Sequence, residues 1–253
     1  MTRVVKIGGR PQSDPSLPAM IAAAWRAHAG GVVIVHGGGD EVSALQTAFG
    51  VTATFVGGRR VTSGRDLDIV RMALSGSANK RLVSALISEG VQALGLSGED
   101  GALISARPVD AERMGFVGAP STINASLLST LLAANYLPVI SPVSRDQRGE
   151  MGTTLNVNGD DAAAAIAAAL GASELLLVAD VPGVMSDGAV IERLSPELAR
   201  VLVANGTAAG GMAAKIDAAL SALSAGVPRV RISDIAAIAD EARGTVLSDI
   251  GEL

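Results

Sequence analysis

The chain has no cysteine, which excludes disulfide staples, thiolate metal sites and cysteine nucleophiles. Histidine is nearly absent, with only His28 and His36 in 253 residues, too few for a histidine-rich metal centre. Aromatic rings are as scarce: three Phe, one Trp and one Tyr. With a formal net charge of −5, the chain offers neither a stacking platform nor a basic groove for nucleic acid. No apolar run reaches the ~18 residues a membrane span needs. Met1 to Lys6 lacks the apolar core and small-residue cleavage site of an export signal. The expectation is a soluble cytoplasmic protein without nucleic-acid or membrane partners. Lysine is the last scarcity. Of 20 basic residues, only Lys6, Lys80 and Lys215 are lysine. In an arginine-biased composition, a retained lysine marks a place where a compact ammonium serves better than a planar guanidinium. Lys6 and Lys215 both lie beside double glycines.

What is present is a core. Apolar residues make up 49% and mean hydropathy is +0.41, and the length suits one large domain or two small ones. Strand-like runs recur at Val4 to Ile7, Val32 to Val35, Ala93 to Leu96, Leu137 to Ser141, Leu175 to Ala179 and Arg229 to Ile232. Helical spacing fills 16–28, 40–49, 66–89, 122–135, 159–170, 195–205 and 212–225. That alternation predicts an α/β protein, a three-layer αβα sandwich around a mainly parallel open sheet. Asn158-Gly159-Asp160-Asp161 supplies N-cap chemistry ahead of an alanine-rich helix. The polar segment 107–121 reads as a hairpin over a site, and 145–152 and Asp187-Gly188 read as turns. No linker or composition break divides the chain, so 1–253 is expected to be a single domain.

In open α/β sheets, ligands bind beyond the carboxyl ends of the strands. Four glycine-bearing segments belong there: Lys6-Ile7-Gly8-Gly9, His36-Gly37-Gly38-Gly39-Asp40, Asp180-Val181-Pro182-Gly183-Val184 and Gly210-Gly211-Met212-Ala213-Ala214-Lys215. Backbone free of side chains can turn its N–H groups on an anion. Each segment alone is as readily a tight turn. No Walker sequence and no G-x-G-x-x-G occurs. Ser77-Ala78-Asn79-Lys80 fits S-x-x-K without its companion motifs and reads as ordinary helix surface.

Together, in this order and spacing, the segments resemble the amino-acid-kinase family, most closely its branch acting on N-acetyl-L-glutamate. Lys6-Ile7-Gly8-Gly9 is similar to the family's opening Lys-hydrophobic-Gly-Gly, and Val35 to Gly39 to its acyl-amino-acid loop. Arg60-Val61-Thr62, Gly76 to Lys80, Gly95 to Gly101, Asn156 to Asp160 and Gly211-Met212-x-x-Lys215 complete the set, so the resemblance runs from residue 3 to about 248. It implies the carbamate-kinase-like fold, with an acyl-amino-acid lobe at 1–171 and a nucleotide lobe at 172–253. It also implies ATP-dependent phosphorylation of the side-chain carboxylate of N-acetyl-L-glutamate, with Mg²⁺ bridging the phosphates. A carboxylate is already a nucleophile, so the protein needs to align two anions and neutralise charge. By resemblance, Lys6 and Lys215 hold the transferring phosphoryl from either side and Asp160 orients both. Gly38, Gly39, Arg60 and Asn156 bind the acyl amino acid. Gly8, Gly9, Asp180, Val181, Pro182, Gly183, Val184 and Met185, with Thr207, Ala208 and Ala209, hold the nucleotide.

Plainer readings stand beside these: a snorkelling Lys6, a solvated Lys215, a surface pair Arg59-Arg60, Asp160 as a helix cap, Asn156 as a turn residue, Asp100 as a loop brace and His36 as packing. Arg10, the proline-rich 10–18, Gly159 and the short 107–121 depart from the family pattern around the acceptor. Two other kinase readings therefore stay open: another N-acylglutamate, or aminoadipate or glutamate on a small acidic carrier protein, with Arg59, Arg60, Arg65 and Arg71 as its landing surface. A catalytically silent nucleotide-binding regulator is a third alternative. Only Met1, Thr2 and Arg3 precede the first strand, which predicts a homodimer without inhibition by arginine.

Overall fold

Runs of branched aliphatics with no polar face are stable only as strands covered on both sides, and these runs form one sheet. The computed structural model describes residues 1–56, 58–149, 154–186 and 188–248. In chain order the strands begin with β1 (Arg3–Ile7), β2 (Val32–His36), β3 (Phe55–Val56), β4 (Arg59–Arg60), β5 (Ala93–Gly98), β6 (Ile104–Pro108), β7 (Val117–Ile123) and β8 (Leu137–Asp146). They continue with β9 (Thr154–Val157), β10 (Glu174–Val178), β11 (Met185–Ser186), β12 (Ala189–Val190), β13 (Arg193–Leu194), β14 (Val230–Ser233) and β15 (Thr245–Leu247). The helices are α1 (Leu17–Ala27), α2 (Gly39–Ala48), α3 (Gly64–Val70), α4 (Asn79–Ser88), α5 (Ala111–Met114), α6 (Ala125–Ala133), α7 (Gly159–Ala169), α8 (Pro196–Ala204) and α9 (Gly210–Ser224).

Among the described residues the sheet has eleven strands, in the order β13-β15-β14-β10-β1-β2-β8-β6-β7-β9, with β5 also on β8. β1 lies between β10 and β2, parallel to both, with Lys6 opposite Leu177 and Val35. Strand alternation sends Val4, Val33 and Leu175 to one face, where α7 and α9 pack through alanines such as Ala162, Ala163, Ala218 and Ala219. Val5, Ile7, Ile34 and Leu176 face the other side, under Ile21 and Trp25 of α1. Small side chains let α7 lie close on the sheet, which brings its first turn beside the end of β1. Asn158 caps α7, accepting the Asp160 N–H at 2.7 Å.

All six expected strands and the expected helices are present, and 107–121 falls in the antiparallel β6–β7 hairpin. The stretch read as one helix at 66–89 is α3, a π-helical segment at Arg71–Ala78, and α4. Of the expected turns, Asp187 and residues 150–152 lie outside the described residues. Among the described residues no helix is long and apolar enough to cross a membrane.

Candidate active site

Three elements converge at the carboxyl end of β1. Lys6 is its penultimate residue, Asp160 lies in the first turn of α7, and Lys215 in the second turn of α9. Lys6 Nζ is 2.8 Å from Asp160 Oδ1, and Lys215 Nζ donates to both Asp160 oxygens at 3.1 Å. Lys6 and Asp160 are buried, at 6% and 5% exposure. Burial pushes Lys6 down to about 8, although Asp160 opposes the shift. Burial alone would raise the Asp160 carboxyl, but the two ammoniums hold it below the ordinary carboxylate range, and the N-terminus of α7 favours the same charge. Two cations against one carboxylate leave one positive charge unanswered in a low-dielectric cleft. Such a cluster calls for an anion.

On one side of Lys6 lies a cavity of about 210 Å³. Lys6, Gly37 to Gly39, Arg60 and Asn156 to Asp160 line it, with Val42, Val70, Leu74 and Val117 as its apolar wall. Gly38 has φ +150°, and a Cβ there would meet Leu74 Cδ2 at 2.7 Å, so only glycine gives the loop this path. Arg60 is 9% exposed. Its guanidinium donates to Gln46 Oε1, to the Gly39 carbonyl at 2.9 Å and to Ser43 Oγ at 2.8 Å, and lies over the Phe55 ring. Burial lowers its pKa, and no carboxylate among the described residues pairs with it. A buried guanidinium held by neutral groups at a cavity wall is built for a carboxylate that arrives from outside. Asn156 donates to Thr62 Oγ1 at 3.0 Å, which ties β9 to the segment after β4.

On the other side of Lys6 a second cavity of about 500 Å³ opens between Gly8, Gly9, Asp180, Val181, Gly211 and Lys215. Lys6, Gly9 and Gly39 belong to both cavities. The rest of the nucleotide set is placed differently. Pro182 to Met185 and Thr207 to Ala209 do not line this cavity, and Val184 and Ala208 are buried in the core. Their backbone N–H groups are engaged within the fold, that of Val184 with Thr245 Oγ1 at 2.8 Å and that of Ala208 with the Leu202 carbonyl at 2.9 Å.

One reading changes, and another gains detail. Asn79, read as helix surface, is fully buried; its Nδ2 lies 3.0 Å from His36 Nε2 and donates to the Val139 carbonyl at 2.9 Å. His36 is packing, as expected, but polar packing: its Nδ1 is 2.9 Å from the Gly37 carbonyl, and burial lowers its pKa to about 4. Neutral His36 therefore fixes the first glycine of the loop. Gln46 and Ser43, which brace Arg60, went unread because a helix surface pattern does not distinguish them. Asp100 braces its loop, accepting the Ser97 N–H at 2.7 Å. The four arginines considered for a carrier protein are engaged within the fold. Arg59 pairs with Asp161 at 2.8 Å, Arg65 donates to the Phe49 carbonyl and Arg71 pairs with Glu99.

A family model described as the amino acid kinase family matches residues 1–234. An acetylglutamate kinase from Geobacillus stearothermophilus is 46% identical over 233 residues, 91% of this chain and 89% of that protein. A crystal structure from Streptococcus mutans UA159 superposes with a TM-score of 0.88 at 30% identity, covering 98% of both chains. An N-acetylglutamate synthase from Neisseria gonorrhoeae, complexed with coenzyme A and N-acetyl-glutamate, has a TM-score of 0.83 at 27% identity. That match covers 99% of this chain and 60% of the synthase.

Proposed function

The chain belongs to the amino acid kinase family, and from that footing we propose that it transfers the γ-phosphoryl of ATP to the side-chain carboxylate of N-acetyl-L-glutamate, in arginine biosynthesis. The observation that carries this is the buried Lys6–Asp160–Lys215 cluster, with its excess positive charge, where two cavities meet. The smaller cavity takes the acyl amino acid. Arg60 pairs with its α-carboxylate, Asn156 contacts the same moiety, and Gly38 and Gly39 approach by backbone. The larger cavity takes the nucleotide phosphates at Gly8, Gly9, Asp180 and Val181, with Pro182 to Met185 and Thr207 to Ala209 along the remainder. On this reading residues 1–171 serve chiefly the acceptor and 172–253 the nucleotide, with Gly8 and Gly9 reaching across from the first lobe to the phosphates.

The acceptor carboxylate attacks the γ-phosphorus as an anion. A new O–P bond forms, the bond to the bridging oxygen breaks, and ADP leaves, with no proton to transfer. Lys6 holds the phosphoryl as it crosses, Lys215 meets the charge that grows on the leaving oxygen, and Asp160 keeps both ammoniums aimed. Point charges that follow a moving group suit this step. Asp160 is committed to two lysines, and among the described residues no group of three or more ligating side chains converges. Mg²⁺ would enter with the nucleotide and would supply neutralisation of its phosphate charge.

A hydroxamate assay tests the reading. ATP, Mg²⁺, hydroxylamine and N-acetyl-L-glutamate should give the acyl hydroxamate, while N-acetyl-L-aspartate and free glutamate give little. Lys6→Ala and Lys215→Ala should each cut turnover about 100-fold, the ~3 kcal/mol of one lost transition-state donor, with circular dichroism unchanged. Full turnover in either variant, or product only with another acceptor, overturns the assignment. We assign the enzyme to the cytoplasm as a homodimer, the commonest closed assembly, so light scattering should read about twice 25.3 kDa.

A further inference from the structure

Arg10 takes no part in the chemistry described so far, yet it borders the nucleotide cavity. It follows the Gly8-Gly9 turn and opens a short 3-10 turn, Arg10–Ser13. That turn is firmly seated. Pro11 is buried, and Gln12 Nε2 donates to the Gly8 carbonyl at 3.1 Å and the Gly37 carbonyl at 2.9 Å. The backbone of Arg10 is therefore tied to both glycine loops, while its side chain is 74% exposed. From there the guanidinium reaches across the cavity mouth. Nη1 lies 2.7 Å from Asp180 Oδ2, two residues past the end of β10, and Nε lies 3.8 Å from Asp40 Oδ2 at the start of α2.

The charges lining this cavity are Lys6, Arg10 and Lys215 against Asp40 and Asp180, with Asp160 behind the two lysines. The lysines are committed to Asp160 in a buried, short-range cluster. Arg10 is held differently, by two carboxylates that are themselves half or more exposed. Ion pairs at such positions are weak and readily exchanged. A guanidinium on a fixed backbone and a loose tether can trade carboxylate oxygens for phosphate oxygens, which it grips with two parallel N–H groups.

We propose that Arg10 is a nucleotide-binding residue that leaves Asp180 for the polyphosphate of ATP or ADP when the nucleotide enters the cleft. In the structure its guanidinium lies between Asp40 and Asp180. The bound state has it as a third cation beside Lys6 and Lys215, closing the mouth behind the phosphates. This assignment rests on the nucleotide occupying the larger cavity, as proposed above. The competing role is a brace, in which the Arg10–Asp180 pair merely holds the acceptor and nucleotide halves together.

Steady-state kinetics and ADP calorimetry on the full chain separate the two. Arg10→Ala should raise KM for ATP about tenfold and leave KM for N-acetyl-L-glutamate within about twofold, since one charge-assisted contact is lost on one substrate. ADP should bind about tenfold more weakly to the variant, and Arg10→Lys should fall between, keeping the charge without the fork. The melting temperature should stay unchanged because the side chain is exposed. A brace would raise both KM values alike, and that result, or unchanged ADP binding, overturns the proposal. If the wild-type chain binds no ADP, the nucleotide reading itself fails first, so the two failures are distinguishable.

Discussion

The role proposed for Lys6 implies a pH dependence whose direction follows from its burial. Lys6 must be an ammonium to hold a phosphoryl group, and burial lowers it to about 8 from the ordinary 10.5. For the free enzyme, kcat/KM for ATP should therefore be full below pH 8 and fall as pH rises through that value. A bound phosphate favours the charged form, so the fall in kcat should lie at higher pH. A kcat/KM profile flat to pH 10 would show that Lys6 is not the titrating group. On the acceptor side, Arg60→Ala should raise KM for N-acetyl-L-glutamate by roughly 10- to 100-fold and spare KM for ATP. That is the ~1.5–3 kcal/mol of a hydrogen bond to a charged group, and equal effects on both substrates would make Arg60 structural. The glycine loops, Lys6, Asp160 and Lys215 were legible because their spacing is rigid and their residue types are few. Arg60's supports were not: Gln46 and Ser43 look like any helix residues, and only the chain path brings them to the guanidinium.

Elements carry influence into the site through their ends. α3 starts with a capping box, in which Ser63 Oγ accepts the Asp66 N–H at 3.2 Å and Asp66 Oδ2 accepts the Ser63 N–H at 2.9 Å. The second Asp66 oxygen takes Gln46 Nε2 at 2.5 Å, and Gln46 in turn holds Arg60. Ser63→Ala should then cost about 1 kcal/mol of stability and also raise KM for the acceptor a few-fold, with KM for ATP unmoved. A variant that melts earlier but keeps its KM would show that the cap and the site are independent. Long strands and helices were readable from apolar periodicity. The two-residue hairpins β3–β4 and β11–β12 were not, since two residues cannot show a period. The π segment at Arg71–Ala78 escaped as well, because a widened turn leaves an apolar stripe almost unchanged over eight residues.

At the scale of the molecule, the end of the sheet opposite the site is pinned by charge. Arg231 is fully buried with Nε 2.5 Å from Glu174 Oε1, Arg3 pairs with the other Glu174 oxygen, and Arg229 adds a third cation at 3.4 Å. Arg231 also donates to the carbonyls of Ala237, Asp240 and Arg243, fastening the chain after β14 to the sheet. Burial opposes ionisation of Glu174, but the arginines hold its pKa below the ordinary value. Its contribution is therefore present at neutral pH and lost as pH falls through that lowered value. Glu174→Gln should leave buried guanidiniums uncompensated, cost about 3–5 kcal/mol and lower Tm by roughly 10 °C. It should also flatten the acid limb of stability, and a calorimetric loss below about 2 °C would refute the pin. The shared wall of the two cavities has a different consequence. Because Lys6, Gly9 and Gly39 line both, the proposed assignment of the two cavities implies that a single molecule joining an N-acylglutamate to adenosine through a phosphate-like bridge would reach both, its second half binding at the high effective concentration set by a short tether.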